Sequence, residues 1–426
     1  MRLTTSNRAA RLRSGLLFLA VLVAVSVPAA AQDAFGLRDG DRVVFYGDSI
    51  TDQRRYTSFV ETYVVTRFPK LDVSFVHSGW GGDRVTGGGG GPIDVRLWRD
   101  VLPYHPSVVT IMLGMNDGGY RAFDQTAFET YSNGFKQIVA TLKRQLPGIR
   151  ITAIQPSPYD DITKAPGFEG GYNKVLVRYG EFLRELAVSE KLALADLNTP
   201  LVAALRKANA ADPTAAGRLI PDRVHPGEQA TLVMAEALLK SWQAPAIVTE
   251  VEIDAARKTV GAQVNTRVSD LHPEKGVSWT QLDGALPMPL NLQDPLVSLV
   301  LKSSDFMEAL NRQPLRVKGL ARRNYNLRID GDPADSFSSE QLASGINLAE
   351  LPTPMTRQAS GVHALTLQHT AIHNTRWRQL QVPLQTHESP ELLEALKALD
   401  ELEARLIRDQ RAAAQPRIHR FELNPE

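Results

Sequence analysis

The sequence contains no cysteine among its 426 residues, and this absence removes several classes of protein. Without cysteine there is no disulfide framework, no zinc site with cysteine ligands, no thiol nucleophile and no lipid-bearing cysteine of a lipoprotein. A surplus of charge is also absent, because 48 basic and 47 acidic side chains almost cancel. This balance argues against nucleic acid as a partner, since binding to phosphates needs clustered positive charge. Any catalysis must use hydroxyl, imidazole or carboxylate groups.

The N-terminus has the composition of a secretory signal peptide. Four arginines and no acidic residue precede an apolar run at 16–27, which is followed by alanines 29–31. This pattern predicts a signal peptide over residues 1–31, cleaved after Ala31, and export to the periplasm or the medium. The exported chain would have 426 − 31 = 395 residues and a charge of 44 − 47 = −3. An uncleaved anchor is the alternative, but twelve apolar residues are fewer than the roughly 20 that span a bilayer. We expect no stable membrane anchor.

Two compositional regimes follow the signal segment. Of the 30 glycines, 23 lie before residue 246, and the boundary between the regimes falls at 243–246. In the first regime, predicted strands alternate with predicted helices. The strands are 42–46, 72–76, 107–113, 149–154 and 192–195, and the helices are 56–68, 126–145, 172–189 and 227–242. Strands that are apolar on both faces and separated by helices indicate a parallel sheet covered on both sides. We predict a three-layer α/β/α domain over residues 32–245.

Polar residues follow the ends of the predicted strands. Ser49 lies in a Gly-Asp-Ser turn after the first strand, Gly82 follows the second, and Asn116 follows the third. Asp222 and His225 come just before the last helix. Each motif alone is a common turn or helix cap. Because the carboxyl ends of parallel strands share one edge of the sheet, the four together predict a functional site there.

These four blocks resemble those of the SGNH (GDSL-type) hydrolases. The family has a nucleophilic Ser in a G-D-S turn, a Gly, an Asn in G-x-N-D, and a closing D-x-x-H. They fall on Ser49, Gly82, Asn116, and Asp222 with His225. The resemblance covers roughly residues 42–242 and implies a flavodoxin-like fold and the hydrolysis of ester bonds.

The second block departs from the family in two places. His77 stands where many members have Asn, and a run of five glycines at 87–91 precedes Pro92. No Gly-Lys-Ser/Thr follows the run, so a phosphate-binding loop is disfavoured and a loop at the entrance of the site is favoured. Trp80, beside Gly82, is interpreted either as part of a sugar subsite or as a packing residue.

The chemistry of the blocks can be stated from the residue types. The hydroxyl of Ser49 needs a base to attack an ester, and His225 suits that role because imidazole titrates near neutral pH. Asp222, three residues earlier, would orient the ring and stabilise its cation. The resemblance nominates the N–H of Ser49, the N–H of Gly82 and the amide of Asn116 as donors to the oxyanion. No metal or other cofactor is needed.

Four acidic neighbours could be mistaken for a metal cluster. They are Asp48, Asp52, Asp83 and Asp117. Side chains of this type at helix starts and turns usually accept backbone hydrogen bonds. We therefore predict caps and turn-locking bonds, and no metal site.

The sequence thus predicts an exported serine esterase that acts through an acyl-enzyme. Its partner would be a small-molecule or glycan ester, with a short acyl group such as acetyl on carbohydrate as the favoured substrate. An O-acyltransferase using the same three residues is an alternative. A non-catalytic glycan-binding or scaffold protein is another, although the intact set of Ser49, Asn116, Asp222 and His225 argues against it.

The second half of the chain is predicted in two parts. Residues 246–335 read as a β-rich accessory module with strands at 250–253, 296–301, 315–317 and 325–329. Residues 336–426 read as mainly helical.

Two features of the helical part deserve a separate interpretation. His369 and His373 have the spacing of half a zinc site, but Thr370 occupies the place of the zincin Glu, so a solvent-facing or interface pair is favoured. The amphipathic helix at 391–410 is expected to pack on its own domain, with a homodimer as the alternative.

Overall fold

The computed structural model describes residues 35–274 and 276–426. The predicted signal peptide lies outside these residues. Among the helices of the described part, none combines the length and apolarity required to cross a membrane.

The first half of the described chain alternates strands and helices. Its strands are β1 (Arg42–Gly47), β2 (Ser74–Gly79), β3 (Gly87–Gly88), β4 (Gly91–Pro92), β5 (Val108–Met112), β6 (Arg150–Ile154) and β7 (Ala193–Ala195). Its helices are α1 (Ser49–Asp52), α2 (Arg55–Arg67), α3 (Ile93–Asp100), α4 (Gln125–Gln145), α5 (Gly171–Glu190), α6 (Asn198–Ala211), α7 (Pro213–Ala216) and α8 (Glu228–Ser241).

A five-stranded parallel sheet organises this half. Its order is β2-β1-β5-β6-β7, and every neighbouring pair is parallel. The predicted α/β fold with a central parallel sheet between helices is confirmed. The predicted strands recur with shifted ends, the largest shift being in β2, which starts at Ser74 and includes His77. Strand β5 is buried at every position, as expected for a strand covered on both faces.

Helix α2 is covered on both sides. From Tyr56 to Arg67 all of its residues are buried, including Glu61 and Arg67. A helix with charged residues is normally exposed on one face. Here that face is covered by later parts of the chain, which pack against α2.

The second half adds strands and helices of a different arrangement. Its strands are β8 (Glu250–Asp254), β9 (Thr259–Val264), β10 (Thr266–His272), β11 (Val277–Asp283), β12 (Pro314–Lys318), β13 (Asn324–Ile329), β14 (Asp332–Ser338), β15 (Ile346–Asn347) and β16 (Ile418–Pro425). Its helices are α9 (Pro295–Ser303), α10 (Phe306–Leu310), α11 (Ser339–Ser344), α12 (Pro354–Asn374), α13 (Val382–Leu384) and α14 (Pro390–Ala413). A π-helical segment, Thr375–Gln381, continues α12.

These strands form two further sheets, β10-β11-β16-β13-β14 and β15-β12-β8-β9. The prediction of a strand at 296–301 is wrong, because the segment belongs to α9. Asp294 caps this helix by accepting from the N–H of Leu296 over 2.8 Å, and Pro295 starts it. The buried Leu296 and Val300 lie one turn apart on its inner face. An apolar run of six residues cannot be assigned by periodicity alone.

The last strand, β16, was not predicted. It pairs with β11 on one side and β13 on the other, so the end of the chain lies inside the sheet. Its buried residues alternate, and the ring of Phe421 stacks on Trp279 with centroids 5.0 Å apart. The alternation of charged and apolar residues at 420–423 was the available signal.

Helices α12 and α14 pack against each other, and α12 also packs against α2. The prediction that the amphipathic C-terminal helix packs back on its own chain is confirmed. Arg411 of α14 donates to the carbonyl oxygens of Leu71 and Val73, just before β2. The C-terminal helices therefore contact the α/β unit close to strands that carry the predicted site.

Candidate active site

Ser49 is the first residue of α1, immediately after β1 and Asp48. The carboxylate of Asp48 caps the helix by accepting from the N–H of Ile50 over 3.0 Å. A Cβ on Gly47 would come within 2.4 Å of the Thr51 side chain and 2.7 Å of the carbonyl oxygen of Met112, so the tight turn needs glycine. Burial raises the pKa of Asp48 to about 7. The turn thereby fixes the half-buried Ser49 at the carboxyl end of a central strand.

His225 and Asp222 lie in the loop before α8. The ring nitrogen Nε2 of His225 is 2.8 Å from the hydroxyl of Ser49, and Nδ1 is 2.6 Å from a carboxylate oxygen of Asp222. The other oxygen of Asp222 accepts from the backbone N–H groups of Val224 and His225. Burial opposes the shift, but these hydrogen bonds hold the pKa of Asp222 below its usual value. The structure thus brings the three predicted residues into one hydrogen-bonded chain.

The loop that carries His225 is braced by residues that the sequence analysis did not identify. Lys164 donates to the carbonyl oxygens of Gly217 and Ile220 over 3.2 and 2.9 Å. Arg223 has a left-handed backbone (φ 72°), and its guanidinium donates to the carbonyl oxygen of Ala165 over 2.9 Å. No local motif marks such braces, because both ends become neighbours only when the loops fold together.

A further brace comes from the start of α2. The guanidinium of Arg55 donates to the carbonyl oxygen of Pro226 over 2.9 Å. Pro226 directly follows His225. Helix α2 therefore supports the imidazole loop at one end while the C-terminal helices cover its length.

Gly82 and Asn116 lie in the turns after β2 and β5. Gly82 has a left-handed backbone (φ 77°), which glycine adopts without strain, and no atom lies within 4 Å of the place of a Cβ. Asn116 is buried, and its Nδ2 donates to the carbonyl oxygen of Asp83 over 3.0 Å. Its Oδ1 accepts from the hydroxyl of Tyr120 over 2.8 Å. Tyr120 was not singled out from the sequence.

The other acidic residues near the site have structural partners. Asp117 accepts from the N–H of Val85 over 2.9 Å, and Asp83 accepts from the guanidinium of Arg96 over 2.6 Å. Burial raises the pKa of Asp117 to about 7. Asp48 and Asp117 thus have the predicted capping and turn-locking roles, whereas Asp83 forms a buried ion pair that was not predicted.

The glycine run forms a small hairpin rather than an open loop. Strands β3 and β4 pair within it, and Arg99 donates to the carbonyl oxygen of Gly90 over 2.9 Å. A Cβ on Gly90 would lie 2.6 Å from the Trp80 ring and from the Arg96 side chain. The glycines therefore allow the hairpin to pack directly on Trp80.

Trp80 is a packing residue in this structure. Its side chain is buried, and the guanidinium carbon of Arg378 lies 3.0 Å from the centroid of its ring. Trp377, the neighbour of Arg378 in the π-helical segment, contacts Trp80 edge to face. The sugar-subsite interpretation of Trp80 does not fit this burial. Residues from the far end of the chain instead cover the turn that leads to Gly82.

His369 and His77 meet on the same buried carboxylate. Glu61 of α2 accepts from Nε2 of His77 over 3.0 Å, from Nε2 of His369 over 2.5 Å, and from Gln410 over 2.8 Å. His373 lies 3.4 Å from Glu403 of α14. The histidine pair on α12 is therefore an interface pair within the chain, and it does not face solvent. His77 takes part in this interface through its hydrogen bond to Glu61.

The chain is similar to a known protein family and to a solved structure. Residues 45–231 match the GDSL-like Lipase/Acylhydrolase family. A search of curated proteins finds no match. Among solved structures, a gut microbial diltiazem-metabolizing enzyme is similar with 27% identity and a TM-score of 0.81, covering 92% of this chain and 100% of that one.

Two other solved structures each cover about half of this chain. An acetylxylan esterase from Geobacillus stearothermophilus has 23% identity and a TM-score of 0.40, covering 49% of this chain and 96% of that one. A putative GDSL-like lipase from Parabacteroides merdae has 22% identity and a TM-score of 0.41, and the match covers 49% of this chain and 98% of that one.

The fold, the family match over residues 45–231 and the likeness to the diltiazem-metabolizing enzyme define an ester hydrolase. Its residues 45–231 belong to the GDSL-like lipase/acylhydrolase (SGNH) family, as the sequence resemblance implied. The likeness to the diltiazem-metabolizing enzyme extends over nearly the whole chain, so it includes the C-terminal half.

Proposed function

We propose that this protein hydrolyses carboxylic esters through a covalent acyl-enzyme on Ser49, with His225 as general base and Asp222 as its orienting carboxylate. The observation that carries the proposal is the hydrogen-bonded chain from the Ser49 hydroxyl through His225 to Asp222, with separations of 2.8 and 2.6 Å. A serine hydroxyl is a weak nucleophile until a neighbouring base accepts its proton.

Acylation follows from this arrangement. Nε2 of His225 accepts the hydroxyl proton while Oγ of Ser49 bonds to the ester carbon, giving a tetrahedral intermediate with a negative oxygen. The resulting imidazolium is stabilised by Asp222, which stays ionised because hydrogen bonds hold its pKa low. When the intermediate collapses, the C–O bond to the alcohol breaks and His225 returns the proton to the leaving oxygen.

The negative oxygen needs preorganised donors. The candidates are the N–H of Ser49 at the start of α1, the N–H of Gly82, and the amide N–H of Asn116 that Asp83 leaves free. Removing one such donor typically costs about 3–4 kcal/mol of transition-state stabilisation. Burial keeps Asn116 away from competing water.

Deacylation repeats the same steps with water. His225 removes a proton from water, the hydroxide oxygen bonds to the acyl carbon, and the bond to Ser49 breaks as Oγ regains a proton. The products are a carboxylic acid and free enzyme. Besides the ester and water, these steps use only groups of Ser49, Gly82, Asn116, Asp222 and His225.

We further propose short acyl groups as the substrate class, with acetyl groups on carbohydrate as the favoured case. The site is open to solvent: the Asp222 side chain is 54% exposed, and Gly82 is exposed. An open rim accepts a large alcohol such as a glycan. The likeness to a diltiazem-metabolizing enzyme makes a small-molecule ester the alternative substrate.

Export is part of the proposal. It is supported by the basic start, the apolar run at 16–27 and alanines 29–31. N-terminal sequencing of the protein recovered outside the cytoplasm should begin at Gln32. Recovery with Met1 intact would contradict cleavage.

The test of the reaction is labelling and turnover with two serine variants. A fluorophosphonate probe should label the wild-type protein on Ser49, and Ser49→Ala should lose both labelling and hydrolysis of p-nitrophenyl acetate. Ser189→Ala, at an exposed serine in α5, is the matched control and should retain both. Folded wild-type protein that is neither labelled nor active would overturn the proposal.

The substrate class is tested on the same protein. Acetylated xylooligosaccharides, diltiazem and p-nitrophenyl esters of acetate and octanoate should rank with the acetyl esters first. Faster turnover of octanoate would contradict the short-acyl assignment while leaving the role of Ser49 intact.

A further inference from the structure

Asn116 is held at both ends of its amide group. Nδ2 donates to the carbonyl oxygen of Asp83 over 3.0 Å, and Oδ1 accepts from the Tyr120 hydroxyl over 2.8 Å. An amide nitrogen carries two hydrogens, so one N–H remains for a substrate oxygen. We propose that Tyr120 is a positioning residue of the oxyanion site, whose hydroxyl fixes and polarises the Asn116 amide. This inference rests on the proposed function.

The backbone of Tyr120 supports a specific placement. Its φ of 57° lies in the left-handed region, which bulky residues rarely adopt. The preceding turn is tight, because a Cβ on Gly118 would come 2.5 Å from the Tyr172 hydroxyl. A strained conformation of this kind persists only where the surrounding structure fixes it.

Two neighbouring rings hold Tyr120 in place. Its ring centroid lies 5.1 Å from that of Tyr172 and 6.1 Å from that of Tyr159. The hydroxyl of Tyr172 donates to the carbonyl oxygen of Met115 over 2.6 Å, one residue before Asn116. The turn is thus fixed from both sides, and the hydroxyl of Tyr120 reaches the amide oxygen without rearrangement.

The hydrogen bond acts on the donor strength of Asn116. A donor to an amide oxygen draws electron density from the amide nitrogen, and linked hydrogen bonds strengthen one another in this way. The stronger donation by the Asn116 amide matters most when the substrate oxygen carries negative charge. It therefore stabilises the transition state more than the bound substrate and raises kcat. Partial burial, together with the nearby charge of Asp48, raises the pKa of Tyr120 to about 12, so the hydroxyl keeps its proton at neutral pH.

The direct test is Tyr120→Phe, which keeps the ring and removes the hydroxyl. With p-nitrophenyl acetate, kcat should fall about tenfold with KM within about twofold, as expected for one lost hydrogen bond felt in the transition state. The affinity for phenylboronic acid, which forms a tetrahedral adduct with serine, should fall by a similar factor. The melting temperature should stay close to that of the wild type. Tyr325→Phe, which removes a tyrosine hydroxyl from β13 in the second half of the chain, is the control and should leave kcat unchanged.

A double-mutant cycle separates positioning from other roles. Asn116→Ala should reduce kcat by about 100-fold or more. In that background, adding Tyr120→Phe should change kcat by less than about twofold, because the hydroxyl no longer has an amide to act on. An equal loss in both backgrounds, or an unchanged kcat for Tyr120→Phe in the wild type, would overturn the inference. Failure of the proposed function is seen separately, as wild-type protein without turnover or Ser49→Ala with full turnover.

Discussion

The core of the α/β unit and its contact with the C-terminal helices are stabilised in different ways. The α/β unit surrounds a parallel sheet whose central strands β1 and β5 are almost wholly apolar and buried. The C-terminal helices contact that unit through buried charged and polar groups, centred on Glu61 with His77, His369 and Gln410. Apolar burial tolerates many partners, whereas a buried carboxylate requires particular ones. The α/β unit and its C-terminal cover are therefore matched to each other.

Helix α2 is the element on which the two halves meet. Its Arg55 supports the carbonyl oxygen next to His225, and its Glu61 binds the C-terminal helices. At its far end Arg67 donates to the carbonyl oxygens of Ile247 and Leu310. The second half of the chain therefore lies against the same helix that supports the site. Changes at this interface should be felt in stability first and in activity second.

The largest expected effect is that of Glu61→Ala. The variant removes the nearer carboxylate of the buried His369 cation, 2.5 Å from its Nε2, and leaves only Glu403 at 3.8 Å; breaking one side of a buried ion pair typically costs about 3–5 kcal/mol. Urea unfolding should show a loss of that size in the free energy of unfolding. Glu181→Ala, at an exposed position of α5, should change it by no more than about 0.5 kcal/mol. Similar small losses for both variants would show that the halves associate without this network.

The sequence predicted where the candidate site residues lie better than it predicted this interface. The spacing from Asp222 to His225 places both in one short loop, and parallel strands bring Ser49, Gly82 and Asn116 to one edge. These are local rules. The buried faces of α2 follow no local rule, because Glu61 becomes a core residue only when α12 and α14 cover it.

Dependence on contacts between distant residues also explains why the sequence predictions for the second half of the chain were wrong in places. The apolar run at 296–301 suits a strand or a helix, and the local signals for the helix are the cap at Asp294 and Pro295 at its first turn. The strand at Ile418–Pro425 pairs with residues almost 100 or more positions earlier, which sequence periodicity cannot indicate. Tyr120 was missed because its role depends on a single hydroxyl contact with Asn116.

The stability of the protein should depend on pH because of His369. This histidine faces Glu61 of α2, Glu403 of α14 and His77 of β2, with His373 on its own helix. Burial lowers its pKa, but the charge of Glu61 and the hydrogen bonds outweigh burial and raise the pKa to about 10. A pKa raised on folding adds stability that is fully present below about pH 6.5 and is lost as the pH rises towards 10.

The expected slope is on the order of 1 kcal/mol per pH unit between pH 7 and 9. Urea unfolding of the wild type should show stability falling over that interval, and His369→Gln should be less stable at pH 7 but nearly flat from pH 7 to 9. His387→Gln, at an exposed histidine, should keep the wild-type slope. A wild-type slope in His369→Gln would assign the pH dependence to other groups.

The smallest expected effect is at the contact between the π-helical segment and the turn before Gly82. Arg378→Met removes the cation from the face of Trp80, an interaction worth about 0.5–2 kcal/mol, and should loosen the turn that leads to Gly82. We expect kcat/KM for p-nitrophenyl acetate to fall by a few fold. Arg376→Met is the matched control, because Arg376 lies on the same segment but pairs with Asp400 over 2.7 Å. Equal losses of kcat/KM in both variants would mean that the segment as a whole, rather than the stack on Trp80, supports the turn that leads to Gly82.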